Sequence, residues 1–133
     1  MTATSRLEGL FGGNAISECC IPQVADERAA ALVRDTVAGS AGAYWEWYAY
    51  AVLRSYLLAA ALSGADSSQI LNWAMNPEDP CPAQVLKDHA ANVPRDWIVT
   101  LEAGLPSAGG ERATIFGTLL HAMHPGTQPY PVP

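Results

Sequence analysis

Apolar residues are densest between Gly42 and Gly64, a proline-free stretch in which two helical faces are apolar at once. At helical pitch Trp45, Tyr48, Val52, Tyr56, Ala59 and Ala60 line one face, and Trp47, Ala51, Leu58 and Leu62 line another. A helix apolar on most sides must be enclosed, by other helices or by lipid. The charges favour helices. Arg54 sits near the middle of the segment, where a charge in hydrocarbon costs a few kcal/mol or more. The uncharged run after Arg54 ends at Ala65, well short of the roughly 20 residues that span a bilayer. No basic segment leads into an apolar core at the N-terminus, as a signal peptide would require. The pattern therefore predicts the central helix, about 43–63, of a soluble all-helical domain.

The flanking pattern supplies its neighbours. Residues 1–24 are glycine-rich and irregular, ending in Ile21-Pro22-Gln23. A first helix is expected from about Ala25 to Ala38, with Asp26 and Glu27 favouring its N-terminus and Ala30, Val33 and Val37 as its apolar stripe. After Gly64, Asp66-Ser67-Ser68-Gln69 reads as a capping box. The helix it opens carries Ile70, Leu71, Trp73 and Ala74 and stops before Asn76-Pro77. Asp79 can cap a fourth helix with Pro80 and Pro82 in its first turn, where no N–H is needed, and with Val85, Leu86 and Ala90 facing the core. A fifth is expected from Arg95 to Ala103 with Trp97, Ile98 and Leu101 inward, and a sixth from Glu111 to Met123 on Ile115, Leu119, Leu120 and Met123. Pro125, Pro129, Pro131 and Pro133 forbid further helix in the tail. The expected organisation is an irregular segment (1–24), an all-α compact bundle of about six helices (25–124) and a proline-rich tail (125–133).

The totals narrow the function. A chain of 133 residues fits one domain, and 50% hydrophobic against 15% charged residues argues against disorder throughout. Seven basic residues face thirteen acidic ones, net charge −6. The cations (Arg6, Arg28, Arg34, Arg54, Lys87, Arg95 and Arg112) form no run, which disfavours high-affinity nucleic-acid binding by this chain alone. The same lack of a basic helix counts against a helix-turn-helix regulator. Cys19, Cys20 and Cys81 are odd in number, include a vicinal pair and contain no Cys-x-x-Cys, so they suggest thiols in a reducing cytoplasm rather than a disulfide framework or zinc site.

Catalytic patterns are sparse. There is no phosphate-cradling glycine loop ending in Lys-Ser/Thr, no Gly-x-Gly-x-x-Gly turn and no nucleophile elbow. His121 and His124 have the i, i+3 spacing of a chelating pair but lack a third and fourth ligand, and two imidazoles at a helix end also complement its dipole. His89 reads as a surface residue. Cys81 at a helix start has no histidine near it in sequence. No catalytic, cofactor-binding or metal-ligating residue is therefore assigned.

Two surfaces remain. Glu46, Tyr50 and Arg54 share one face at i, i+4, i+8, a candidate partner-docking face or simply a face toward water or a neighbouring helix. Trp45, Trp47, Trp73 and Trp97 lie on apolar stripes and are expected in the core rather than stacked on bases. A different class of function, a small stand-alone ligand-binding protein or enzyme, would use an apolar pocket lined by Tyr48, Tyr56 and Trp73.

The order of particular segments carries a resemblance. Asp26-Glu27-Arg28-Ala29-Ala30-Ala31-Leu32-Val33 is followed by Tyr44-Trp45, then by the run from Ala51 to Leu62, then by Ile70-Leu71-Asn72-Trp73 and finally by the helix from Glu111 to Met123. Over about residues 6–125 this resembles the all-alpha domain of TraG/TraD-like type IV coupling proteins of bacterial conjugation, especially the actinobacterial ones. In that family the domain is inserted in a hexameric, membrane-anchored DNA-pumping ATPase, outside the Walker motifs. The resemblance implies a domain facing the cytoplasm at the inner membrane that helps select the relaxase–DNA substrate. It implies relaxase or other relaxosome proteins as partners, no cofactor and no catalytic residues. This chain departs from the full pattern in lacking the motor and the anchor, as an excised domain would. Its acidity counts against direct DNA contact and points instead to protein cargo or accessory factors.

Overall fold

The computed structural model describes residues 15–37, 43–76, 79–103, 115–117, 119 and 123. They form an all-α bundle, with no strand among them. A 3-10 turn, Ser17–Cys20, leads into α1 (Pro22–Val37), α2 (Ala43–Ser63), α3 (Ser67–Met75) and α4 (Cys81–Asp88); a second 3-10 turn, Ala90–Asn92, leads into α5 (Arg95–Ala103). Residues 115–117, 119 and 123 are helical.

The axis of the bundle is α2. It packs against α1, α3, α4, α5 and the first 3-10 turn. From Ala49 to Ala60 every residue is buried except the half-buried Tyr50 and Arg54. Four alanines in that run let neighbouring backbones approach closely, while Val52, Leu53, Tyr56, Leu57 and Leu58 fill the space between them. Ser55, buried among them, donates its hydroxyl to the Ala51 carbonyl one turn back and so is not left unpaired. Ile115, Leu119 and Met123, spaced one helical turn apart, close the core and are fully buried.

The bounds of α2 and α5 coincide with those read from the pattern, and α3 ends at Met75, before Asn76 as expected. The first helix begins earlier than expected, at Pro22 rather than Ala25. Proline lacks only an N–H that the first turn leaves unused, and the Ile21 carbonyl accepts from Val24 and Ala25. The segment assigned as irregular also reaches the core, where Ala15, Ile16 and Cys19 are buried. It is held there by Arg28, which donates to the Ala15 carbonyl at 2.7 Å and pairs with Glu18 at 2.8 Å.

Local chemistry sets the joints. Gly64 adopts φ +73°, a left-handed conformation that ends α2. Nothing lies within 4 Å of where a Cβ would stand, so Gly64→Ala introduces backbone strain without a clash. It is expected to lower stability by about 1 kcal/mol in urea unfolding. Asp66 then caps α3, its side chain accepting from the Gln69 N–H at 3.2 Å. Asp79 accepts from the Cys81 N–H at 2.9 Å at the start of α4. Ala90, expected in the core, is exposed because α4 ends at Asp88 and the chain passes into the second 3-10 turn. Trp47 is likewise exposed, by 49%, edge-on to Tyr48. The side of α2 that covers Ala51 and Leu58 further along has no cover at position 47 among the described residues.

All three thiols are free. Cys19 is buried with its Sγ directed at the Ala15 carbonyl, and burial pushes its pKa from the usual 9.0 up to about 11, against the pull of Arg28. Cys20 and Cys81 are exposed. A thiol reagent is expected to count two groups in the native chain and the third only on unfolding. Because folding raises the pKa of the acid Cys19, the native state holds that proton more tightly. Its stabilising contribution is complete below pH 9.0 and declines toward about pH 11. Tyr50, also raised by burial, moves stability in the same direction. An alkaline unfolding series should therefore show a falling limb over that range, with a smaller fall in Cys19→Ala.

Candidate functional site

Of the face proposed from spacing, the structure brings Tyr50 and Arg54 together and encloses both. Glu46 lies in α2, and its side chain is outside the described residues. The Tyr50 hydroxyl is hydrogen-bonded to the Asp26 carboxylate of α1. Arg54 Nη1 reaches the Tyr50 oxygen at 3.1 Å and Asp26 at 3.4 Å, and Nη2 lies 3.8 Å from Asp96 of α5. The guanidinium carbon sits 5.0 Å from the centre of the Tyr50 ring and 4.6 Å from that of Trp97. One cation thus joins three helices, with its side chain only 11% exposed. Its Nε is buried and has no hydrogen-bond partner among the described residues.

Electrostatics follow from this geometry. Burial raises the Tyr50 pKa above the usual 10.0, and donation to Asp26 raises it further, while Arg54 opposes both. Tyr50 is therefore a donor at neutral pH, not a base. Among the described residues, the acids that meet Arg54 are Asp26 and Asp96, which come from other helices. Nothing local in the sequence marks them. The one signal was a charge inside an otherwise apolar helix, which requires partners from elsewhere.

On its other side α5 forms an open groove. Arg95, Ile98 and Val99 stand at i, i+3, i+4, and with Ala90 and Val93 they wall a space of about 400 Å³. Val99 is 55% exposed. The aromatic trio Tyr48, Tyr56 and Trp73 is arranged differently. Tyr56 and Trp73 are both 2% exposed, their ring centroids lie 5.7 Å apart, and the Tyr56 hydroxyl donates to the Trp73 carbonyl. These two rings fill the core between α2 and α3, and Tyr48 packs at its margin.

Among the described residues no three His, Cys, Asp or Glu side chains converge as a metal site would require. His121 and His124 lie outside the described residues. His89 closes α4, its Nδ1 3.0 Å from the Val85 carbonyl. No described helix is long and apolar enough to cross a membrane. The fold and this site define the chain as an all-helical bundle with an internally neutralised cation and an open apolar groove. It matches no protein-family model, no curated protein and no solved structure.

Proposed function

We propose that the chain is a non-catalytic protein-docking module, of the kind that the all-alpha domain of TraG/TraD-like conjugative coupling ATPases provides. The observation that carries this reading is how the side chains are used. Tyr50, Arg54, Asp26 and Asp96, which could do chemistry or bind an ion, are spent on joining helices, while α5 leaves an apolar groove open. The narrower assignment rests on the resemblance in segment order, and the segments that carry it within residues 22–75 fall in α1, α2 and α3. On this reading the parent is a membrane-anchored hexamer at the cytoplasmic face of the inner membrane. The domain then contacts relaxase or another relaxosome protein, with DNA contact secondary because the net charge is −6.

The test has two parts. The parent reading frame should encode nucleotide-binding motifs on both sides of these residues. The purified domain should bind the cognate relaxase in calorimetry while giving no salt-sensitive shift with single- or double-stranded DNA. Loss of the flanking motifs together with no relaxase binding would sink the assignment. Salt-sensitive DNA binding would move recognition to the transferred strand.

A further inference from the structure

The two sides of α5 differ in a way that specifies what the groove accepts. Trp97 turns inward beneath Arg54, and Asp96 is drawn toward the same guanidinium. Arg95, Ile98 and Val99 face the groove, where every other wall residue is apolar. The Glu102 carboxylate of α5 is taken by Lys87 of α4. Arg95 therefore has no carboxylate partner among the described residues, at the edge of an apolar strip and on the first turn of a helix.

We propose that this groove docks an acidic amphipathic segment of a protein partner, its apolar side chains lying against Val93, Ile98 and Val99 and a carboxylate on Arg95. This deepens the docking reading above and rests on it. Charge complementarity selects the occupant. A basic segment would set cation against cation, and a wholly apolar one would leave the guanidinium without a counter-ion. Shape selects a polypeptide. An open-sided groove covers a small ligand poorly, since small-ligand sites bury about 70–90% of their ligand. A helix or strand brings its own backbone as the outer wall and needs only one row of side chains seated.

The test uses the full chain as bait for a phage library of random peptides of about twelve residues, roughly three helical turns. Val99→Asp serves as the subtractive bait. Both positions to be changed are exposed, so circular dichroism melts of the variants should overlay the parent. The expected outcome is enrichment of peptides with apolar residues at i, i+3 or i+4 flanked by Asp or Glu. The best of them, as synthetic peptides, should bind Val99→Asp at least about tenfold more weakly, a difference of about 1.4 kcal/mol. Selection on Arg95→Glu should exchange the acidic flanks for Lys or Arg. No enrichment, equal binding to Val99→Asp, or an acidic preference unchanged in Arg95→Glu would each overturn the proposal. Relaxase binding that survives such a result would place docking on another face. Groove binding without relaxase binding would leave the groove standing and remove the conjugation assignment.

Discussion

Trp73→Ala is expected to destabilise the domain by about 4 kcal/mol, the cost typical of emptying a fully buried indole site. Trp73 is 2% exposed, its ring packs on Tyr56 at 5.7 Å, and its carbonyl accepts from the Tyr56 hydroxyl. A domain of this size is stabilised by only about 5–15 kcal/mol, so the variant should show a large drop in urea midpoint. Trp73→Phe makes the sharper comparison. The Trp73 Nε1–H is buried with no hydrogen-bond partner among the described residues. Leaving such a donor unsatisfied costs about 1–3 kcal/mol, and phenylalanine removes it while keeping most of the ring. Trp73→Phe should therefore cost about 1 kcal/mol or less. Chemical unfolding followed by far-ultraviolet circular dichroism separates the two variants. A Trp73→Phe loss well above about 1 kcal/mol would mean that the indole N–H is satisfied in solution, by water.

Arg54→Ala should cost about 3 kcal/mol, for a reason that owes more to packing than to charge. The side chain is 11% exposed and lies against the rings of Tyr50 and Trp97, so truncation removes its stem and both stacking contacts. The ion pairs contribute less. Asp26 is 39% exposed and 3.4 Å away, and Asp96 is 75% exposed and 3.8 Å away, so water already screens both. Arg54→Met should accordingly recover more than half of the loss, because a flexible thioether fills the slot between the rings. Arg54→Lys should recover less than its retained charge suggests, since a compact ammonium stacks poorly. High salt should scarcely alter this ranking. A ranking in which lysine outperforms methionine and salt erases the difference would make the site electrostatic instead.

The groove and the Arg54 junction share α5, so on the proposed docking role stability and recognition would be linked. Trp97 holds the inner side of the helix against the guanidinium, while Ile98 and Val99 stand on the groove side. Shortening Arg54 is expected to loosen the helix that carries this apolar strip. The exposed positions Val99 and Arg95 can be changed without touching the junction. That separation allows binding and folding to be tested by different variants.

Much of this architecture was already present in the order of residues. The Gly64 turn, the prolines at helix starts, the Asp66 cap and the two-sided apolar stripe of α2 act over a few residues, and helix formation is a local matter of pitch and end groups. Those features determined the all-α class, the central helix and the bounds of α2 and α5. What joins the helices depends on contacts between residues far apart in the chain. Arg54 meets Asp26 across twenty-eight residues of separation, and the closure of the groove wall depends on where the chain turns after Asp88. Helical periodicity marks which face is apolar but not which neighbour covers it, so the exposure of Trp47 was decided by packing, and that of Ala90 by where α4 ends. The sequence by itself thus determined the helices and required partners for Arg54. The tertiary structure chose those partners and decided which apolar strip stays open, because a buried charge and an exposed valine are both consequences of how helices pack.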